Sequence, residues 1–203
     1  MKVIVIDDDP TGSQTVNNCL LLLKWDYSTL IKGFKSKSNL FFILANTRSL
    51  SENDAKLRLV EICSALKKVI SKESYKEEEF IFVSRGDSTL RGHNFLEPKI
   101  MNDCLGPFDA TFHIPAFIEG KRMTIDGNHF VDNVPVSQTI FAKDKIFGYK
   151  TSNVKKLLFQ KSKCQIKLND IQNLKLSELK VLESKEKNII FNKIRNLKEN
   201  AHV

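Results

Sequence analysis

The sequence predicts an α/β fold: an open, mainly parallel sheet with helices on both faces, in Rossmann-like layers, and a ligand crevice at the carboxyl ends of the strands. Three observations carry this. Apolar runs occur without alternation at Val3–Ile6, Leu40–Ala45 and Phe80–Val83, as strands buried on both faces require. Helical patterns separate them, most plainly "SENDAKLRLVEICSALKKVI" from Ser51 to Ile70. Each run ends in a polar segment containing Asp, Arg, Ser or Thr, and in an open parallel sheet the carboxyl ends line the edge where ligands bind.

Each element has its own justification. Val3–Ile6 is a short buried strand that runs into Asp7-Asp8-Asp9. Gln14–Leu23 reads as a helix weakened by Asn17 and Asn18. "LFFILA", Leu40 to Ala45, is the second strand. Ser51 is the N-cap of the long helix, with Asp54 at the capping-box position. "SKESYKEEE" is a charged loop, and "FIFV", Phe80 to Val83, the third strand. Leu96–Leu105 reads as a helix, "TFHIPAF" (Thr111 to Phe117) as a fourth strand, and 153–159 and about 176–199 as helices. "DGNHF" reads equally as a hairpin turn or a ligand contact.

Composition sets outer bounds. The chain has 203 residues, 41% hydrophobic and 28% charged, which suits one globular domain with an appendage. No apolar run approaches the roughly 20 residues that span a bilayer. No signal peptide precedes the first strand, so a cytoplasmic setting is expected. Cys19, Cys63, Cys104 and Cys164 form no CxxC pair, and His93, His113, His129 and His202 lack zinc-site spacing. Reduced structural thiols and no metal site are expected. The net charge of +8 is uneven: residues 1–150 carry +1 and 151–203 carry +7. In the tail, lysines alternate with Leu, Ile and Val and no Trp or Tyr occurs. That reads as a solvated amphipathic segment rather than a nucleic-acid arm. The expected division is 1–150 as the binding domain and 151–203 as a basic helical segment.

Four polar segments are then expected to converge: "DDDPTGSQT", "NTRS", "SRGDSTLRGHN" and "IEGKR". The first raises a physical question, since three adjacent carboxylates repel and lose solvation when buried. An acidic surface turn with a cap at Asp9 or Thr11 answers it blandly; a site for a cation, a polyol or a phosphoryl group answers it functionally. In the third segment, Gly86 and Gly92 permit close backbone approach. Arg85 and Arg91 offer planar forks for carboxylate or phosphate, and Asp87 is a hydroxyl acceptor or base. An Asp87–Arg91 ion pair that steadies a tight loop is the structural alternative. Asp7-x-Asp9-x-Thr11 after a strand also fits the DxDx[TV] signature of haloacid-dehalogenase-like phosphatases, with Asp7 as nucleophile.

"DDDPTGSQT", "SRGDSTLRGH" and "IPAFIEGKRMTIDGNHFVDNVPVSQTIFAKD" together resemble the N-terminal half of the four-carbon acid sugar kinase family. The resemblance spans about residues 1–155. It implies a substrate-binding half of an ATP-dependent kinase acting on 3-oxo-tetronate, erythronate or threonate. It implies Asp8 and Asp87 as catalytic groups, and Asp9, Thr11, Gly12, Arg48, Ser88, Arg91 and Arg122 as substrate-binding ones. There are departures. Lys121 separates Arg122 from the glycine that precedes it in the family, His93 stands where many members have Asn, and Ser84-Arg85-Gly86 replaces a lysine-containing lead.

Family members are about twice as long, and ATP and Mg²⁺ belong to the full-length enzymes. No glycine follows Gly148 and no Walker A pattern occurs, so no nucleotide site is expected in this chain. A fragment, a natural truncation and a half that pairs with a separate nucleotide-binding domain or as a homo-oligomer all remain open. The competing functional reading is a non-catalytic binding or remnant module.

Overall fold

A computed structural model describes residues 1–76, 79–180 and 187–203. The chain forms two compact units, one of Met1–Asp87 with Gly92–Gly106 and one of Ser88–Arg91 with Pro107–Val203.

The first unit is built on four strands: β1 (Lys2–Asp7), β2 (Leu20–Leu22), β3 (Leu40–Leu44) and β4 (Phe80–Arg85), with α1 (Tyr27–Lys35), α2 (Glu52–Lys72) and α3 (Leu96–Leu105) flanking them. The strands lie in the order β2-β3-β1-β4 and every pairing is parallel. The predicted parallel α/β class is therefore observed. Ile4, Ile6, Phe41 and Ile43 are fully buried, which is why their runs show no alternation. The α2 helix begins as its sequence dictates: Ser51 Oγ accepts from the Asp54 N–H at 3.2 Å. Its apolar stripe of Ala55, Leu59, Ile62, Cys63, Leu66 and Val69 is buried. Lys2 closes α1 at the other end, donating to the carbonyls of Gly33, Phe34 and Ser36 at 3.1, 2.6 and 3.0 Å.

Strand order fixes where a site can form. The chain leaves β1 for the β2 edge of the sheet and leaves β3 for β4 on the far side of β1. Adjacent strands that depart in opposite directions open a crevice at their carboxyl ends. The segments there are Asp7-Asp8-Asp9 and Asn46-Thr47-Arg48.

Two elements differ from expectation. The predicted Gln14–Leu23 helix is instead a 3₁₀ turn at Gly12–Thr15 and the edge strand β2. Asn18 sits between them in the left-handed region, φ 56°, which stops a helix. The leucines then gain ladder bonds along β3, a tertiary pairing that overrides local propensity. The predicted strand "TFHIPAF" is also reduced, to β5 (Ala110–Thr111). It lies outside the four-stranded sheet and pairs with β9 (Ala201–His202). Pro115 has no N–H to give to a ladder, and Ile114 faces solvent.

The second unit carries β5 and an antiparallel sheet of β6 (Arg122–Ile125), β7 (Asn128–Val131) and β8 (Val134–Pro135). Two-residue turns join these strands. Asp126 and Gly127 both have positive φ (47° and 78°), as do Asp132 and Asn133 (51° and 63°), the primed geometry that matches strand twist. "DGNHF" is thus a hairpin turn entering β7. After it come α4 (Val154–Lys161), α5 (Leu176–Lys180), α6 (Lys187–Arg195) and β9. Helix therefore occupies parts of the predicted 176–199 stretch, and 181–186 lie outside the described residues. Leu90, Val136, Ala142, Tyr149 and Leu157 form one core, with Val131 packed on it.

Candidate functional site

In the first unit the acidic turn is a network of ion pairs rather than a solvated bend. Asp7 ends β1, in register with Leu44 and Arg85, and its carbonyl accepts from Ala45 and Asn46 N–H groups at 2.9 and 3.2 Å. Its side chain is fully buried. Oδ1 lies 3.4 Å from Arg85 Nη1, and Oδ2 has no hydrogen-bond partner among the described residues. Burial pushes its carboxyl up to about 6, against the pull of the Arg85 charge. Gly12 explains the "PTG" turn: a Cβ there would collide with both Asp7 carboxylate oxygens and Arg85 Nη1.

Asp8 is 2% exposed and is held by Arg48 as a fork: Nε donates to Oδ2 at 2.9 Å and Nη2 to Oδ1 at 2.6 Å. Burial raises the Asp8 carboxyl; the Arg48 bonds and charge oppose the shift, and the Asp87 charge adds to it. Arg48 Nη1 also lies 3.5 Å from Asp9 Oδ2. Asp9 Oδ1 accepts from the Thr11 N–H at 2.9 Å and from the Thr11 hydroxyl, so it does brace its own turn. Desolvation pushes Asp9 upward, but the Thr11 bonds and the Arg48 and Arg85 charges outweigh it and hold the carboxyl low. Gly92, φ 106°, leaves room beside Asp8, where a Cβ would stand 3.1 Å from Oδ2.

Glu97 was not among the residues singled out in the sequence. It is 3% exposed. Oε1 accepts from Thr47 Oγ1 at 2.6 Å and Oε2 from Ser84 Oγ at 2.8 Å. Burial pushes its carboxyl up to about 7. In sequence it looks like an acid that complements the dipole of a helix N-terminus, and nothing local betrays its burial.

The second unit holds the other predicted residues. Arg122 Nη1 donates to Ser88 Oγ at 2.7 Å, and its guanidinium lies over the rings of Phe117 and Phe141, each 5.6 Å from the ring centre. Arg91 lies over the same Phe141 ring at 5.2 Å, donates from Nε to Thr89 Oγ1 at 3.1 Å and stands 3.8 Å from Asp144 Oδ2. Asp144 is itself held by the N–H groups of Ile146 and Phe147, both at 2.9 Å. Two predicted arginines therefore contact the same Phe141 ring, and Arg122 Nε is buried with no hydrogen-bond partner among the described residues.

The Ser88–Arg91 segment is anchored at each residue. Ser88 O accepts from His129 Nε2 at 2.7 Å, and Thr89 O accepts from the Tyr149 hydroxyl. Leu90 is buried in the core with φ 65°, a conformation that costs a leucine free energy and persists only where surroundings enforce it. His129 is fully buried, with Nδ1 2.9 Å from Thr124 Oγ1. Its role follows from the antiparallel sheet, which the sequence reading did not include.

Asp8, Arg48, Asp9 and Thr11 are thus linked in series in the first unit, with Gly12 packed on Asp7 and the Asp87 charge acting on Asp8 and Arg48. Ser88, Arg91 and Arg122 group together in the second. The "IEGKR" segment belongs to the second unit and follows no strand of the parallel sheet. No group of three or more His, Cys, Asp or Glu side chains among the described residues could hold a metal ion. No described helix is long and apolar enough to cross a membrane.

A family model described as a sugar-binding N-terminal domain matches residues 3–198. A D-erythronate kinase of Heliobacterium modesticaldum is 29% identical over 151 residues, which make up 70% of this chain and 32% of that enzyme. Protein HI1011 of Haemophilus influenzae has a similar fold, with TM-score 0.68 and 18% identity over 98% of this chain and 47% of that one. A Bordetella bronchiseptica domain of unknown function, crystallised as a domain-swapped dimer with bound citrate, gives 0.62 and 22% over 78% of this chain and 39% of its own. The chain spans about a third of the curated relative and under half of these solved chains.

Proposed function

The chain belongs to the sugar-binding N-terminal domain family, and on that premise we propose that it binds a four-carbon sugar acid as the substrate half of an ATP-dependent kinase. The observation that carries the reading is Arg122 Nε, a buried cationic N–H without a partner among the described residues, beside a second guanidinium on Phe141. A buried cationic N–H without a partner favours an anionic acceptor. Arg91 and Arg122 hold the substrate carboxylate, and Ser88, fixed against Arg122, a neighbouring hydroxyl. For Asp8 and Asp87, in the first unit, the role is the one that the family resemblance implies, to orient or deprotonate a substrate hydroxyl. Asp9, Thr11, Gly12 and Arg48 shape and hold the turn that presents Asp8.

The kinase relative and the citrate bound in the Bordetella domain support this reading, each for its own protein. ATP·Mg²⁺ is the phosphoryl donor proposed for full-length relatives. The residues described here offer neither a Gly-rich phosphate loop nor a metal cluster, so no step is assigned to a nucleotide in this chain. Burial of Asp7 beneath Gly12 argues against the dehalogenase-like alternative, whose nucleophile must reach a phosphate. Calorimetric titration with erythronate, threonate and 3-oxo-tetronate, each with and without ATP·Mg²⁺, tests the proposal. Saturable binding of at least one acid is expected, and absence of binding by all of them would overturn it.

A further inference from the structure

We propose that Glu97 is the positioning residue that sets both arginines of the acidic turn, an inference that rests on reading that turn as substrate-facing. Its two carboxylate oxygens accept from two hydroxyls, Thr47 Oγ1 at 2.6 Å and Ser84 Oγ at 2.8 Å. Each hydroxyl belongs to the residue just before an arginine. Thr47 precedes Arg48, which forks onto Asp8, and Ser84 precedes Arg85, whose Nη1 faces Asp7.

The sheet order places β1 between β3 and β4. Thr47 follows β3, and Ser84 lies in β4 opposite Ile6. Glu97 therefore ties the exits of two strands together across the end of the strand that carries the aspartates. When ionised, Glu97 accepts with both oxygens; when protonated, one oxygen donates and one of the two hydroxyls turns around. Glutamine offers one acceptor and one donor, so one hydroxyl must turn around. A side chain that merely filled space would be apolar, since burying a carboxylate is costly unless its bonds are used. Thr47 is itself fully buried, so losing Glu97 strands a hydroxyl beside Arg48.

The test reads Arg48 directly by proton exchange at its Nε–H in ¹⁵N-edited NMR of the full chain, with the signal assigned by its loss in Arg48→Lys. In the parent the Nε–H, bonded to Asp8 at 2.9 Å, is expected to exchange slowly. Glu97→Ala should speed its exchange at least about tenfold and weaken acid binding by about the same factor, while amide signals of α2 stay in place. Glu97→Gln should restore most of both. Parent-like exchange in a folded Glu97→Ala would overturn the proposal. Should that variant not fold, Thr47→Val answers the same question at Arg48, and slow parent-like exchange there would overturn it equally. If the parent binds no acid, the substrate reading fails, yet the exchange rates still decide the role of Glu97.

Discussion

Arg48 grips Asp8 through two parallel hydrogen bonds, 2.9 Å from Nε and 2.6 Å from Nη2, with the carboxylate 2% exposed. Two side chains 40 residues apart are joined because the chain departs from β1 and from β3 in opposite directions. The pair turns a repulsive run of aspartates into a fixed acceptor array.

Arg48→Ala is expected to destabilise the fold by about 3–5 kcal/mol, since it leaves a buried charge without its partner. Adding Asp8→Asn should recover part of that loss. Urea unfolding of the single and double variants gives the numbers. A loss below about 1 kcal/mol would rank the pair with solvent-exposed ones.

Gly12→Ala should cost about 1–3 kcal/mol, typical of overpacking, because its methyl would meet the Asp7 carboxylate and Arg85 Nη1. The backbone there is ordinary, so the effect is steric. Thermal unfolding should show a lower Tm, and a parent-like Tm would show that the turn has room to spare.

Stability should respond to pH with two opposite slopes. The Glu97 carboxyl, ordinarily near 4.5, is raised to about 7, so the folded state keeps a proton that the unfolded chain has released. Its contribution is full below pH 4.5, falls as pH rises through 7 and amounts to roughly 3 kcal/mol. Burial and the neighbouring His202 lower His113 from 6.5 to about 4. Here the unfolded chain takes the proton first, and stability is lost as pH falls from 6.5 to 4. Glu97→Gln should abolish the decline toward pH 7, whereas His113→Phe should steepen it. Unfolding curves from pH 4 to 8 read both.

Much of the first unit was legible because its signals are local. Apolar runs marked β1, β3 and β4, and Ser51 with Asp54 marked the start of α2. β2 was not legible: Leu20–Leu22 is a strand only because β3 offers it an edge. "TFHIPAF" misled because a run of apolar residues does not reveal that Pro115 interrupts its ladder. Among the candidate residues, flanking glycines drew attention to Arg91, while Asp8, Arg48 and Arg122 came from the family resemblance. Glu97 and Tyr149 escaped notice, and the role of His129 was not legible, because these roles are set by burial and by partners 13 to 60 residues away.

The most direct measurement compares erythronate with erythritol, which has similar hydroxyls but no carboxylate, by calorimetric titration of the parent and of Arg122→Ala. One charge-assisted contact is worth about 1.5–3 kcal/mol, so erythronate should bind at least about tenfold more tightly than erythritol. Arg122→Ala should erase most of that difference. Equal binding of the acid and the alcohol by the parent, or an undiminished preference in Arg122→Ala, would contradict the assignment of this site to a sugar acid held by its carboxylate.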